Sequence, residues 1–320
     1  MPLLGVNRSL VKFGLPELTK TKRVGLQLLF KDLKINNVGV YEVGYMIAPR
    51  INAMGRLASA TDSLRFLCTR DIKKAGDLNK LLNNTNIERQ KIVEDVLGQT
   101  LKQVQGGEKV IVISGNYHEG VIGLASGKIT EKFYRPSIVL SEMGDISKAS
   151  ARSISGFNII EAIKETDLIL EGGGHPMAAG FSIYTEKIEE FRLKINKLSN
   201  EKLTDAILER KLKIDLEINF EEIDTELVEA IKKFEPTGQG NYSPIFISKN
   251  VKVIEVKPVG QEGKHLKLKL EQNEIIFDAI WFGATTKFDI NDIVDAAYAV
   301  EENVWNNKTS IQLKVKDIKA

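Results

Sequence analysis

Between Ala75 and Gln105 apolar residues recur every three or four positions, at Leu78, Leu81, Leu82, Ile92, Val93, Val96, Leu97 and Leu101. That spacing predicts one long helix, ended by Gly106-Gly107. Its middle is polar, with Asn83, Asn84, Asn86, Glu88, Arg89 and Gln90, as in a helix that crosses solvent between domains. Residues 1–70 read as short helices and turns, including an amphipathic piece at Val24–Leu33. After the long helix, short apolar runs alternate with helical pattern. Strands are expected at Lys109–Ser114, Pro136–Ser141, Lys148–Ser153 and Ala179–Tyr184. Helices are expected at Gly120–Phe133, Phe157–Leu170 and Lys187–Leu198, with a glycine loop before the last strand. This block predicts a small α/β domain. The remainder is strand-like. His265–Leu270 alternates strictly, and Val251–Val256, Ile275–Trp281, Ile293–Val300 and Ser310–Val315 also suit strands, preceded by an acidic helix over Glu222–Phe234. Five short strands with polar turns predict a small barrel.

Composition changes this picture little. The 320 residues are 42% hydrophobic and 28% charged, with a net charge of +2, ordinary for a globular protein of two or three domains. The distribution of charge is more telling. The first 70 residues hold eleven basic side chains, including Arg50 and Arg56, against four acidic ones. Such an excess can steer a polyanion. The single cysteine, Cys68, excludes an internal disulfide framework and suits a reducing compartment, so a cytoplasmic location is expected. Cys68 follows Leu64, Phe66 and Leu67 and reads as a core residue. No run approaches the roughly 20 apolar residues of a membrane helix, and no signal-peptide pattern opens the chain.

Four segments carry candidate chemistry. Gly172-Gly173-Gly174-His175-Pro176-Met177-Ala178-Ala179-Gly180 combines glycines that allow close approach of a ligand with a ring that can donate to a phosphate oxygen. At Tyr117–Gly123 a strand gives way to a helix, whose first N–H groups suit an anion, with His118 beside them. The same pattern also fits a helix cap with a surface histidine. Ser150-Ala151-Arg152-Ser153 sets two hydroxyls and a guanidinium on a short strand. Ala48–Arg56 reads as a loop punctuated by Pro49 and Gly55, in which Arg50, Asn52 and Arg56 can all donate to a phosphodiester. In the barrel, Lys264, Lys267 and Lys269 lie near one strand face. Tyr242, Phe246, Trp281 and Phe282 serve either as base-stacking rings or as packing residues.

Taken in order, these motifs resemble the RecJ family of single-stranded-DNA exonucleases, of the DHH/DHHA1 phosphoesterase superfamily. Ala48–Arg56 is similar to the family's Gly-Pro-Arg-Ile-Asn-Ala-Ala-Gly-Arg segment, with Ala48 for glycine and Met54 for alanine. Tyr117–Gly123 is similar to Trp-His-Pro-Gly-Val-Ile-Gly, with Tyr117 for tryptophan and Glu119 for proline. The Ser-x-Arg-Ser and Gly-Gly-His-x-x-Ala-Ala-Gly motifs match fully, Glu88-Arg89-Gln90 resembles the connecting helix, and Glu235–Asn241 resembles the entry to an oligonucleotide-binding (OB) barrel. The resemblance implies an α/β and β multidomain fold. Its parts are a remnant of a DHH domain over 1–74, a connecting helix over 75–106, a DHHA1 domain over 107–200 and an OB domain over 207–320.

It further implies hydrolysis of phosphodiesters from the 5′ end of single-stranded DNA with Mn2+ or Mg2+. Arg50, Asn52, Arg56, His118, Ser150, Arg152, Ser153, Gly173 and Gly174 would hold phosphates, and His175 would stand near the scissile bond. Single-strand-binding protein and a repair helicase are implied as further partners. The family's metal ligands include an Asp-His-His motif, whereas this chain's three histidines, His118, His175 and His265, are all isolated. The expectation is therefore a fragment that binds DNA but lacks the metal centre, is inactive alone and binds no metal. A non-catalytic nucleic-acid-binding relative is the alternative, ahead of a phosphodiesterase acting on nanoRNA or cyclic dinucleotides.

Overall fold

The computed structural model describes residues 1–104, 106–260, 263–284, 288–305 and 308–319. They form two compact units, Thr19–Arg210, and Met1–Leu18 together with Lys211–Ala320.

The first unit opens with helices α2 (Val24–Asp32), α3 (Ala48–Leu57) and α4 (Ala60–Cys68), following α1 (Gly5–Thr19). A π-helical turn over Glu42–Ile47 leads into α3. The predicted loop at Ala48–Arg56 is thus a helix. Pro49 sits in its first turn, where a missing N–H costs nothing, and Gly55 is accommodated within it. Cys68 is exposed, contrary to expectation. The buried positions of α4 are Ser63 and Phe66, and a residue two beyond Phe66 points to another side of the helix.

Helix α5 (Ile72–Gln103) is 32 residues long and Asp71 caps it by accepting from the N–H groups of Lys73 and Lys74. Gln105, the expected end of the helix, lies outside the described residues. The helix does not run alone through solvent, although Asn84, Glu88 and Gln90 of its polar middle are exposed. It packs on α2, α3, α4 and, further along, α6 (Glu119–Phe133), burying Asn79, Thr85 and Asn86. Its amides meet partners there: Asn79 Nδ2 donates to Asp32 Oδ2 (2.6 Å), and Asn83 Oδ1 accepts from Arg50 Nε (2.7 Å).

A five-stranded sheet follows, in the order β1 (Ile111–Gly115), β2 (Ser137–Met143), β3 (Ile146–Arg152), β5 (Ala178–Tyr184), β4 (Ile169–His175). Only β1 and β2 are parallel, joined through α6. One face buries Val112, Leu140, Ala149, Ala151, Phe181 and Ile183 under α7 (Ile159–Lys164) and α8 (Ile188–Lys202). The other packs Ile111, Ile113 and Val139 against α6 and α5. The expected helix at Phe157–Leu170 is only six residues long, and the glycine run is a strand rather than a loop. Gly172, Gly173, Gly174 and His175 pair with Phe181, Gly180, Ala179 and Ala178. Gly174 has φ +151° and an added Cβ would run into the Ala178 carbonyl oxygen, so this corner of the hairpin admits only glycine.

The first unit closes with α9 (Asp205–Leu208), and the second continues with β6 (Leu216–Glu217) and α10 (Thr225–Lys232). The strands β7 (Phe246–Val259), β8 (His265–Gln272), β9 (Ile275–Phe282), β10 (Ile293–Trp305) and β11 (Lys308–Lys319) form a closed barrel. The order is β7-β8-β9-β11-β10, β9 and β11 are parallel, and β10 returns to pair with β7. This is the OB topology. Alternate residues fill the core, among them Val253, Leu268, Leu270, Trp281, Tyr298 and Leu313. The Tyr298 hydroxyl donates to Ser248 Oγ (2.5 Å), which donates to Ile218 O, and burial pushes the phenol up to about 12. Phe246 and Trp281 are therefore packing residues, while Phe282 and Tyr242 are exposed.

Among the described residues, no helix is long and apolar enough to cross a membrane.

Candidate nucleic-acid interface

The register of β3, β5 and β4 aligns side chains in rows across one face of the α/β sheet. Ser150 faces Gly180, which faces Gly173. The next row toward the hairpin is Arg152, Ala178 and His175, and the row on the other side is Lys148, Ser182 and Glu171. Directly paired residues share a face. The serine-arginine and glycine-histidine elements therefore look out on the same side. It is also the side of α6, because Ser150 pairs with Val139, which belongs to the core beneath that helix.

Helix α6 covers β2 and β3 and leaves the β5–β4 side open. There Gly180 and Gly173 are exposed. A Cβ on Gly173 would meet no atom within 4 Å, and one on Gly180 only Ala149 O at 3.6 Å. Nothing in the described residues requires glycine at either position. The pair leaves a strip of bare sheet backbone beside Ser150 and His175, which suits close approach of a ligand.

At the other glycines contact is tight. A Cβ on Gly123 of α6 would lie 2.9 Å from Ser150 Oγ and 3.5 Å from Arg152 Nη2. One on Gly120 would collide with the Arg56 carbonyl oxygen. These two glycines let the first turn of α6 settle onto β3 and onto the end of α3, so that Arg56, Ser150 and Arg152 line one open pocket with Lys148. Arg56 Nη1 donates to Gly120 O (3.0 Å) and Arg152 Nη1 to Ala151 O (2.9 Å), which fixes both guanidiniums and leaves further N–H groups for a ligand. Burial, then the charge of Arg56, lowers the Arg152 pKa from its ordinary value.

His118 is the N-cap of α6. Its Nδ1 accepts from the Gly120 N–H (3.0 Å), so the neutral ring carries its proton on Nε2, free to donate outward. It lines an adjoining pocket with Gly55, Arg56, Asn116, Tyr117 and Met143. Tyr117 is buried, and its hydroxyl accepts from Gln103 Nε2 (2.8 Å), pinning this turn to α5. Burial raises the Tyr117 pKa, against the bond from Gln103.

The remaining sequence-predicted residues divide. Asn52 is exposed one helical turn before Arg56 on α3. Arg50 turns toward α5, donating from Nε to Asn83 and from Nη1 to Met46 O (2.6 Å). Ser153 does not reach the open face; it is buried and its hydroxyl donates to Phe157 O (2.7 Å). The sequence reading missed Arg89. Burial lowers its pKa first, and the charges of Arg56 and Arg50 lower it further. Its signal was present in the polar middle of α5, which read as a solvent face. The reading also missed Lys148, which donates to Glu171 Oε1 (3.1 Å) and Ser182 Oγ (2.8 Å).

An α/β domain of this kind followed by an OB barrel is the DHHA1–OB architecture. The family models described as DHHA1 domain and RecJ OB domain match residues 107–201 and 214–317. The chain thus carries a DHHA1 domain and a RecJ OB domain. It is 31% identical over 332 residues to the single-stranded-DNA-specific exonuclease RecJ of Bacillus subtilis, covering 99% of this chain and 42% of that protein. RecJ of Thermus thermophilus is 30% identical over 320 residues, covering 99% and 46%. The crystal structure of Thermus thermophilus RecJ in complex with Mg2+ superposes with a TM-score of 0.87 at 28% identity, covering 100% of this chain and 50% of that one. The chain thus spans about half the length of the curated relatives it matches.

Solved relatives hold Mg2+ or Mn2+. Among the described residues of this chain, no group of three or more His, Cys, Asp or Glu side chains is placed to hold a metal ion. The donors present do not fit such an ion.

Proposed function

We propose that this chain is the strand-gripping part of a RecJ-like exonuclease that degrades single-stranded DNA from its 5′ end. The reading rests above all on the bare Gly180–Gly173 strip beside Ser150 and Arg152, since neither glycine is required by packing. A phosphate entering there accepts from the Arg152 guanidinium and the Ser150 hydroxyl, while its sugar approaches the sheet backbone. Arg56 and Asn52 take the next phosphate along α3. His118 donates from Nε2, and His175, in the row of Arg152, stands at the hairpin end of the strip. In this arrangement the chain orients and neutralises the backbone. By itself it binds without cleaving, because its described residues supply no ligand cluster for a divalent ion. The proposed domain boundaries are those of the sequence reading. On the family resemblance alone the proposal extends to a single-strand-binding protein and a repair helicase as suppliers of the strand.

The test is fluorescence anisotropy with short oligothymidylates, with and without a 5′-phosphate, on the chain and its Arg152→Ala variant. The wild type is expected to bind and to prefer the phosphorylated strand, and the variant to lose that preference. With Mn2+ and labelled DNA, the wild type is expected to release no mononucleotides. Unchanged affinity and end preference in Arg152→Ala would reject the assignment, and digestion by this chain alone would reject the division of labour.

A further inference from the structure

We infer that the Glu235–Asn241 turn of the barrel unit is a socket for residues 2–8, and that Arg8 is the positioning residue that locks α1 into it. The barrel thereby gains a second tether to the α/β unit. The socket stands apart from the proposed function; its effect on a bound strand rests on that reading.

Glu235–Asn241, which resembles the entry to an OB barrel in sequence, lies just past the end of α10. Arg8 Nη2 donates to Lys233 O (2.8 Å) and to Glu235 O (3.0 Å). Asn241 Nδ2 donates to Phe234 O (2.8 Å) and to Pro236 O (3.0 Å). Two side chains thus hold the successive carbonyls of Lys233 to Pro236. A guanidinium suits this place, since carbonyls at the end of a helix lack N–H partners and carry partial negative charge. The backbone is held as well, because the Leu3 N–H donates to Gln239 O (2.7 Å). Both glycines of the turn fit the same segment. A Cβ on Gly238 would lie 2.7 Å from Leu3 Cδ1, and one on Gly240, where φ is +80°, 3.1 Å from Pro2 Cβ. Helix α1 buries no residue of its own, so no core seam would keep it on the barrel if these contacts were lost.

The chain passes between the two units twice, at Leu18–Thr19 and at Arg210–Lys211. Both passages are fastened on the α/β side. Thr19 Oγ1 accepts from the Val38 N–H (3.0 Å). Arg210 donates to Glu131 O, with its Cζ 5.4 Å from the centre of the Tyr134 ring. On the barrel side the second passage is fastened by Asp215, whose N–H donates to Ile245 O (2.8 Å) and whose Oδ2 accepts from the Ile245 N–H (3.1 Å). The first is fastened by Arg8 and residues 2–4. Undocked, the barrel would keep one connection, through residues 211–214. A strand that engages both units gains from the effective concentration of the second site, which a loosened tether lowers.

Two variants break the socket from opposite sides. Arg8→Ala removes the donor, and Gly238→Val fills the space of Leu3. Amide hydrogen exchange is expected to rise over 3–18 and 234–241 in both, with the barrel strands as protected as in the wild type. The double variant should exchange no faster than either single one, because both act on one contact. Arg8→Lys keeps a charged donor and should restore part of the protection. Anisotropy titrations with oligothymidylates of about six and about thirty nucleotides then separate positioning from local damage. Both variants are expected to bind the short strand as the wild type does and the long one about tenfold more weakly. Unchanged exchange over 234–241 in Arg8→Ala would overturn the socket. An equal loss on both lengths, or no loss on the long strand, would overturn the positioning role. If the wild type binds neither strand, the proposed function falls, and hydrogen exchange still decides the socket.

Discussion

The two faces of this chain suited to a nucleic acid treat positive charge in opposite ways. On the α/β unit, Arg50, Arg56, Arg89 and Arg152 stand without a carboxylate ion pair among the described residues, and two adjacent glycines clear the backbone in the row next to Arg152. On the barrel, three lysines already have a carboxylate neighbour. Lys267 lies 3.9 Å from Asp278, Lys269 3.3 Å from Glu255 and Lys314 3.3 Å from Glu301. What the barrel keeps exposed is a ring, Phe282, met edge-on by His265 (5.1 Å between centroids) and by Lys314 Nζ 5.6 Å from its centre. Unpaired cations bind phosphates with a strong dependence on salt, whereas an exposed ring stacks on bases with little. Under the proposed function, one face holds charge and the other holds bases.

The sharpest way to break this contrast is Arg152→Ala, expected to weaken binding of 5′-phosphorylated single strands about ten- to hundredfold, the worth of a charge-assisted bond. Its salt slope should fall with it. A similar loss from Lys267→Ala or Lys269→Ala, read by the same anisotropy titrations, would erase the distinction between the faces.

Next in size are the glycines. Gly173→Val puts a side chain into space that no described protein atom occupies and removes an unfavourable strand glycine, so stability should hold or rise while DNA affinity drops about tenfold. Gly120→Ala is the converse, driving a methyl into the Arg56 carbonyl and costing about 1–3 kcal/mol of stability. Thermal melts beside binding curves separate the two. A Gly173→Val protein that melts early, or binds normally, removes the case for a ligand trough.

Much of this was legible in the sequence, and the gaps have identifiable causes. All five barrel strands were located, His265–Leu270 by its strict alternation, because a half-buried strand must alternate, and the other four as short strand-like runs. The glycine run read as a loop because glycine carries no strand preference; its pairing with Ala178–Phe181 is a tertiary fact. Ala48–Arg56 read as a loop because proline and glycine usually break helices, yet a first-turn proline is compatible with one. The packing of the polar middle of α5 stayed hidden for a related reason. Polar residues in mid-helix usually face water, and only the packing of α2 and α3 on α5 shows that Asn79 and Asn83 meet Asp32 and Arg50 instead. Ser153 failed in the opposite direction. The strand period of two puts Ser150 and Arg152 on one face and excludes their neighbour.

Phe282→Ala tests the barrel side. Loss of one stacked base costs about 1–3 kcal/mol, and the effect should persist unchanged as salt rises, unlike that of Arg152→Ala. Parallel decline of both variants with salt would mean that Phe282 acts through Lys314 rather than through stacking.

The smallest effect belongs to the Lys148–Ser182–Glu171 row, and its sign follows from the hydrogen bonds. Lys148 and then Ser182 donate to Glu171, which holds that carboxyl below its ordinary value of 4.5. A depressed carboxylate contributes to stability above its unfolded pKa, and the contribution is lost as pH falls through the lower folded value. Across neutral and mildly acidic pH the pair is therefore intact, and Lys148 stays tied to Glu171 instead of joining the arginines. Glu171→Gln removes the charge of the tie and keeps the shape of the trough wall nearly unchanged. It should leave stability nearly unchanged, since an exposed pair contributes little, and should strengthen binding of phosphorylated strands severalfold by releasing one cation beside Ser150. The gain should be flat from about pH 5 to 8. Weaker binding in Glu171→Gln would show that the carboxylate orients Lys148 toward the DNA rather than withholding it, and the α/β face would then use a paired cation after all.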